Sequence, residues 1–327
     1  MDFSLNGRSI LVTGGTGSFG QAFVRLLVEH HNPSRVLVYS RDELKQFEMA
    51  RNLNHPAVEF MIGDVRDAER VRRAVRGIDL VVHAAALKQV PTAEQNPMET
   101  IKTNVLGAEN IVNACLDSDV SRVIVLSTDK AVNPVNLYGA TKLCSDKLFV
   151  AANMLAGPGG TKFSVVRYGN VIGSRGSVIP FFKERAKTGK LPITDKRMTR
   201  FWITLDQGVT FVARCLGIME GGEIFIPKLP SMKMVDLARA MGPDCEIEII
   251  GIRPGEKLDE VMVPRDEARN TLEFPDFYII QPDFLNGTRT KASYGGAELR
   301  HVSEGFEYRS DTNEVWMTVE DFKHIVS

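Results

Sequence analysis

Short apolar runs alternate with longer amphipathic stretches through the first half of the chain. Residues 10–12, 35–39, 58–62, 79–83 and 122–126 are rich in Val, Ile and Leu, and segments with helical spacing separate them. Near-continuous apolar runs belong to strands covered on both faces, and intervening helices supply that cover. The pattern predicts an α/β fold with a doubly wound parallel sheet. A sixth strand is predicted at 162–167, after the break Gly157-Pro158-Gly159-Gly160. Beyond about residue 169 the alternation yields to shorter elements and turns, which predicts a smaller mixed α/β unit. The domain reading is 1–170 for a nucleotide-binding unit, with a return at about 200–222, and 171–327 mainly for a substrate-binding unit.

The first run leads directly into Thr13-Gly14-Gly15-Thr16-Gly17-Ser18-Phe19-Gly20, which opens a helix. Glycines there permit a tight turn and let the backbone approach a pyrophosphate, while the helix amino terminus offers unpaired N–H groups and a positive dipole. Strand, turn and helix together predict a Rossmann-type dinucleotide cradle. At the end of the second run stand Ser40, Arg41 and Asp42, with Lys45 one turn on. An acidic side chain at this place suits a free ribose, whereas Arg and small donors suit a ribose phosphate, so NADP is preferred over NAD. The alternative, in which Asp42 caps the next helix and Arg41 is solvated, is compatible with that preference. Asp64 and Val65 follow the third run and would border the adenine. Ala84, Ala85 and Ala86 follow the fourth, giving either a close passage beneath the cofactor or simple helix packing.

After the fifth run comes Ser127-Thr128-Asp129-Lys130, then Tyr138 and Lys142. A spacing of four on a helix puts Tyr138 and Lys142 on one face, where the ammonium favours the phenolate. Tyr138 is thus a candidate proton acceptor, although this spacing alone is more often a solvated helix face. Asp129 and Lys130 read either as a turn cap beside a surface cation or as an acid/base pair, and their place ahead of Tyr138 favours the pair. Thr128 would hydrogen-bond a substrate hydroxyl or the phenol, or stabilise the turn. His83 reads as a strand-end packing residue.

Composition narrows the classes. Forty basic against forty-one acidic residues argue against a general nucleic-acid or membrane-surface role. Cys115, Cys144, Cys215 and Cys245 are widely spaced, so neither a disulfide framework nor a zinc site is expected, and no carboxylate-histidine cluster implies a metal. No basic leader or long apolar run stands out, which leads to the expectation of a soluble cytoplasmic protein.

Several segments together resemble the extended short-chain dehydrogenase/reductases, and within them the inverting sugar-nucleotide 4,6-dehydratases of the pseudaminic acid route. They are residues 13–20, 39–45, 84–91, 127–130, 136–142, 167–171 and Arg253-Pro254-Gly255-Glu256-Lys257, and they span most of the chain. Retaining relatives commonly carry Asp-Glu at the Asp129-Lys130 position, and another branch with Asp-Lys has Met in place of Tyr138. The combination present here fits the inverting branch. The resemblance implies tightly bound, recycled NADP, a UDP-sugar substrate, specifically UDP-N-acetylglucosamine, and a homo-oligomer, dimer or hexamer. It implies that Tyr138 and Lys142 serve oxidation at carbon 4, that Lys130 acts as a neutral base at carbon 5 and that Asp129 acts as the acid at carbon 6. It adds Asn104 to the cofactor site. To the substrate it assigns Lys88, Asn170, Arg175, Val178, Thr194, Arg200, Arg253 and Glu256, the last pair reading equally as an exposed ion pair. A 4-epimerase would share Tyr138 and Lys142 without needing Asp129 and Lys130, and a non-catalytic NADP sensor would need only the cradle.

Overall fold

The computed structural model describes residues 3–283, 294 and 300–326. The elements come in the order β1 (Ser9–Thr13), α1 (Ser18–His30), β2 (Arg35–Ser40), α2 (Glu43–Leu53), β3 (Val58–Ile62), α3 (Ala68–Ala74) and β4 (Leu80–His83). Next are the short helices α4 (Val90–Gln95) and α5 (Pro97–Ile101), a π turn at Lys102–Leu106, α6 (Gly107–Leu116), β5 (Arg122–Thr128), α7 (Leu137–Ala156) and β6 (Lys162–Tyr168). All six runs read from the sequence form strands. Residues of β1 and β4 are buried throughout, because helices cover both faces of the sheet.

The strand order β3-β2-β1-β4-β5-β6 is parallel and reverses between β1 and β4. A crevice opens at such a reversal, beyond the carboxyl ends of the strands, and Thr13, Ser40, His83 and Thr128 all stand at those ends. The topology therefore gathers the glycine turn, Arg41, Ala84 and the Thr128–Lys130 turn before any side chain is considered.

The second half begins with β7 (Asn170–Val171), α8 (Val178–Ala186), β8 (Lys190–Ile193), β9 (Thr199–Ile203), α9 (Leu205–Ile218), β10 (Ile224–Pro227), β11 (Ser231–Lys233), α10 (Met234–Met241), β12 (Glu246–Ile249) and β13 (Val261–Val263). It closes with β14 (Thr271–Glu273), β15 (Phe277–Ile280), β16 (Arg300–His301), β17 (Tyr308–Arg309) and α11 (Val319–Val326). Helix α9 packs against α1 and β10 pairs in parallel with β6. Strands β15, β14 and β16 then extend the sheet antiparallel. The chain thus contributes to the main sheet well past residue 222. This was not visible as alternation, because antiparallel edge strands need no helical crossover.

A second apolar cluster, separate from the one around the sheet, is built on Ile172, Phe182, Leu191, Trp202, Leu237 and Phe322. Its three-stranded sheet β11-β9-β7 sets Asn170 opposite Trp202, so this smaller layer begins at the mouth of the crevice.

Candidate active site

The glycine turn is shaped by contacts that only glycine permits. Gly14 has φ +65°, and a Cβ there would lie 2.8 Å from the Ala85 nitrogen. At Gly20 a Cβ would overlap Gly15, which closes the start of α1 onto the turn. Helix α1 has Gly17 as its N-cap with no side-chain cap bond, so the opening N–H groups at Ser18, Phe19 and Gly20 face the crevice. The cavity, about 650 Å³, runs from here past Thr16, Ser40, Arg41 and Lys45 to Asp64 and Val65. Along the floor lie Ala84, Ala85 and Ala86, and at the far end Tyr138 and Lys142. A cradle that any Cβ would fill and a free helix amino terminus fit a dinucleotide with a pyrophosphate.

Two residues assigned to the cofactor instead brace its walls. Thr13 Oγ1 is 2.7 Å from His83 Nδ1 beneath the turn, and it accepts from the Ala85 N–H at 3.3 Å. Asn104, in the π turn, accepts from the Leu87 N–H at 2.8 Å and donates to the Leu87 carbonyl and Thr141 Oγ1. Neither lines the cavity, because each side chain is already spent on holding two loops together. At the ribose end Asp42 caps α2 by accepting from the Lys45 N–H at 3.0 Å, and its carboxylate also meets Lys45 Nζ. Arg41 is half exposed, 3.7 Å from Asp64 Oδ2.

Helix α7 carries the reactive face. Asn136 caps it, accepting from the Gly139 N–H at 2.8 Å, and Tyr138, Lys142 and Asp146 follow at spacings of four. A Cβ at Gly139 would overlap the Lys130 carbonyl oxygen, so a bare glycine lets α7 press against the turn that holds Asp129 and Lys130. Burial raises the Tyr138 phenol to about 12, with Lys130 and the Thr128 hydroxyl opposing and Asp129 adding to the rise. Burial lowers Lys142, and Asp146 opposes that drop. Lys142 is therefore not the main influence on the free phenol; the cation that opposes its rise is Lys130. Asp146 was not singled out from the sequence. It accepts from Ser127 Oγ at 2.6 Å, and burial raises it.

Lys130 Nζ reaches the cavity wall and lies 3.0 Å from Asp129 Oδ1, 3.6 Å from Glu260 Oε1 and 3.3 Å from Asn170 Oδ1. Burial pulls Lys130 toward the amine, but the two carboxylates outweigh it and the net direction is upward. The base role read from the sequence depends on a neutral amine, and in the free protein these charges favour the ammonium instead. Asp129 is fully buried behind it. Its Oδ1 accepts from Thr128 Oγ1 at 2.9 Å as well as from Lys130, and Thr128 lines the cavity. A proton on Asp129 is one hydrogen bond from the cavity, not in it.

Of the substrate residues, Lys88, Asn170, Val178 and Arg175 line the cavity. Burial lowers Lys88. Arg175 turns toward the cofactor end, its Nη2 donating to the Thr16 carbonyl and its N–H to Ser18 Oγ. Four others lie off the cavity wall. Thr194 donates to Met198 Sδ at 3.1 Å, inside the second core. Arg200 is buried, donates to the carbonyls of Thr199, Lys257 and Leu258, and has its Nε 3.7 Å from Glu260 Oε1. Arg253 is largely exposed, 3.9 Å from Glu256, so this pair takes the exposed ion-pair form. Their loop docks instead through the Gly255 carbonyl, which accepts from Asn136 Nδ2 at 2.8 Å. Tyr168, Gln89 and Trp202 line the cavity without having been named as site residues, although Gln89 and Tyr168 stood inside segments that carried the resemblance. Among the described residues no cluster could hold a metal, and no helix is long and apolar enough to cross a membrane.

Residues 10–282 match the family model described as polysaccharide biosynthesis protein. The UDP-N-acetylglucosamine 4,6-dehydratase (inverting) of Campylobacter jejuni is 54% identical over 98% of both chains. A UDP-glucose 4-epimerase of Rickettsia conorii is 44% identical over 84% of this chain and 83% of its own. Among solved structures, Pen from Bacillus thuringiensis superposes with TM-score 0.91 at 35% identity, covering 99% and 98% of the two chains. The dTDP-glucose 4,6-dehydratase DesIV from Streptomyces venezuelae, with NAD bound, gives TM-score 0.70 at 25% identity over 76% of this chain and 86% of its own.

Proposed function

The chain belongs to the polysaccharide biosynthesis protein family, of the extended short-chain dehydrogenase/reductase type, and from that premise we propose that it dehydrates UDP-N-acetylglucosamine across carbons 4 to 6 with inversion at carbon 5. The product is UDP-2-acetamido-2,6-dideoxy-beta-L-arabino-hexos-4-ulose. The observation that carries the reading is a single cavity lined by both Tyr138 and Lys130, with Asp129 directly behind.

The cradle takes a nicotinamide dinucleotide, which supplies a hydride acceptor for carbon 4 and a hydride donor for carbon 6. We read it as NADP, because Ser40, Arg41 and Lys45 stand on the cavity wall, and Asp42, which also stands there, has one carboxylate oxygen on its helix cap and the other on Lys45. Tyr138 takes the proton of the carbon 4 hydroxyl, and Lys142 holds the ribose and the phenolate's charge. The ketone so formed acidifies the proton on carbon 5. Moving one proton along the 3.0 Å contact from Lys130 to Asp129 converts the resting ion pair into a neutral base and a neutral acid. Lys130 then removes the carbon 5 proton, and Asp129 protonates the departing carbon 6 hydroxyl by way of the Thr128 end of the cavity. The resting ion pair is restored as water leaves. Tyr138, still carrying its proton, is available to protonate the opposite face of carbon 5, the step that inverts it.

The 4-epimerase reading draws on the 44% identical relative, and it uses the same Tyr138 and Lys142. It has no use for an acid and a base above carbons 5 and 6, so the placement of Lys130 in the same cavity favours dehydration. Incubation with UDP-N-acetylglucosamine separates the two, since dehydration lightens the product by one water and epimerisation leaves its mass unchanged. On the same reading, which rests on the likeness to the inverting dehydratases, the protein is a homo-oligomer serving the pseudaminic acid route.

A further inference from the structure

We propose that Glu260 is a positioning residue for the elimination: together with Asp129 it holds the Lys130 amino group at the cavity wall and sets how readily that group releases its proton. The proposal rests on the dehydratase reading of the same site. Glu260 comes from the loop between β12 and β13, in the half of the chain that builds the smaller layer, and its carboxylate is buried. Oε1 lies 3.6 Å from Lys130 Nζ and 3.7 Å from Arg200 Nε, while Oε2 lies 3.6 Å from Lys257 Nζ. Among the described residues Oε2 has no hydrogen-bond partner. A buried carboxylate satisfied only at ion-pair distance is costly, and a fold that needed merely to fill this space would do better with an apolar side chain.

The charges around Lys130 give this arrangement a purpose. Tyr138 and Asn170 face Lys130 from the crevice, Asp129 lies buried behind it, and Glu260 faces it from the loop before β13, with Arg200 and Lys257 beyond. With Asp129 alone, the lysine would have one anion to follow; with Glu260 added it is held between two. Uncompensated, two anions would trap the ammonium. Arg200 and Lys257 offset Glu260, so that Asp129 remains the carboxylate able to take the proton. In the elimination the proton passes from Lys130 to Asp129, and the amine takes the carbon 5 proton. The C–H electrons become the carbon 5–carbon 6 double bond. The carbon 6–oxygen bond breaks, and the Asp129 proton leaves on the hydroxyl as water. Glu260 stays anionic throughout.

The test is the pH dependence of kcat for water loss in two variants with opposite expected signs. Glu260→Gln keeps the shape and removes the anion, so the basic limb, which reports loss of the proton shared by Asp129 and Lys130, should move down by about one to three pH units. KM for UDP-N-acetylglucosamine should stay within about twofold. Lys257→Met removes a cation that offsets Glu260 and should move the limb up. A limb unmoved in both variants, or moved the same way in both, overturns the proposal. Because either change could unsettle the fold, Lys130 is also titrated by NMR in lysine-labelled, substrate-free protein with Glu260→Asp. That variant retains the charge, so the midpoint should stay near wild type, and Glu260→Gln should lower it; equal midpoints in Gln and Asp variants refute the role. The titration needs no turnover. Wild-type protein that removes no water defeats the dehydratase reading, whereas water loss with an unmoved Lys130 titration defeats the Glu260 proposal alone.

Discussion

Lys130 Nζ rests 3.0 Å from Asp129 Oδ1, and on the proposed mechanism this contact is the acid/base pair of the elimination stored in its charged form. Neither residue is ready alone. Lys130 as an ammonium cannot accept a proton, and Asp129 as a carboxylate cannot give one, but one transfer between them prepares both. Replacing Lys130 by Ala should leave nicotinamide binding near the wild-type value and reduce water loss by about 10²- to 10⁴-fold. Cofactor titration followed by product mass analysis checks both halves, and elimination at the wild-type rate would remove Lys130 from the base role.

Tyr138→Phe should act one step earlier. With no phenol to take the carbon 4 proton, transient reduction of the nicotinamide should fall by about 10²- to 10⁴-fold, measured by its absorbance in a single turnover. Because burial holds the free phenol at about 12, the wild-type rate of that step should rise with pH through the neutral range as more phenolate forms. A flat profile in the isolated oxidation step would show that proton removal from carbon 4 does not depend on Tyr138.

Gly139 is the sharpest geometric test that avoids every reacting group. Glycine in a helix is ordinarily destabilising by about 0.5 to 1 kcal/mol relative to alanine. Here a Cβ would overlap the Lys130 carbonyl oxygen, so Gly139→Ala must push α7 away from the Asp129–Lys130 turn. Water loss should drop by about 10²-fold, the scale expected of an ångström-sized misplacement. Calorimetry should show lower stability rather than the gain usual for this substitution, and a stabilised, fully active variant would contradict the packing described.

His83 supplies a pH dependence of stability. Burial lowers it from 6.5 to about 3 in the folded protein, with Lys142 adding to the drop. The unfolded chain therefore binds this proton first on acidification, and stability is lost as pH falls below 6.5 toward 3. Between about pH 7 and about pH 5 the loss should be about 2 kcal/mol. Chemical denaturation of wild type and His83→Gln at both pH values checks it, since the variant should lack this part of the acid sensitivity.

The fold was legible where one strand is one apolar run, from residues 10–12 to 162–167, since burial on both faces leaves its mark directly in the sequence. Thr128, Lys130, Tyr138 and Lys142 were legible for a related reason: strand end and helix start fix them within a few residues of each other. Arg200 and Thr194 were assigned to substrate because local sequence gives residue type but not the direction in which a side chain leaves its strand. Glu260 carried no signal of its own. It directly follows Lys257-Leu258-Asp259 near a recognisable segment, yet its partner Lys130 lies in the other half of the chain, and only the folded structure joins them. Asn104 was expected at the cofactor, and the π turn directs its amide to Leu87 and Thr141, a placement that depends on the fold and not on local sequence.

The measurement closest to the central claim is the product formed from UDP-N-acetylglucosamine in heavy water, analysed by mass spectrometry and NMR. The account predicts loss of one water, deuterium on carbon 5 and inverted configuration there. A product of unchanged mass, epimerised at carbon 4 with no label on carbon 5, would contradict it.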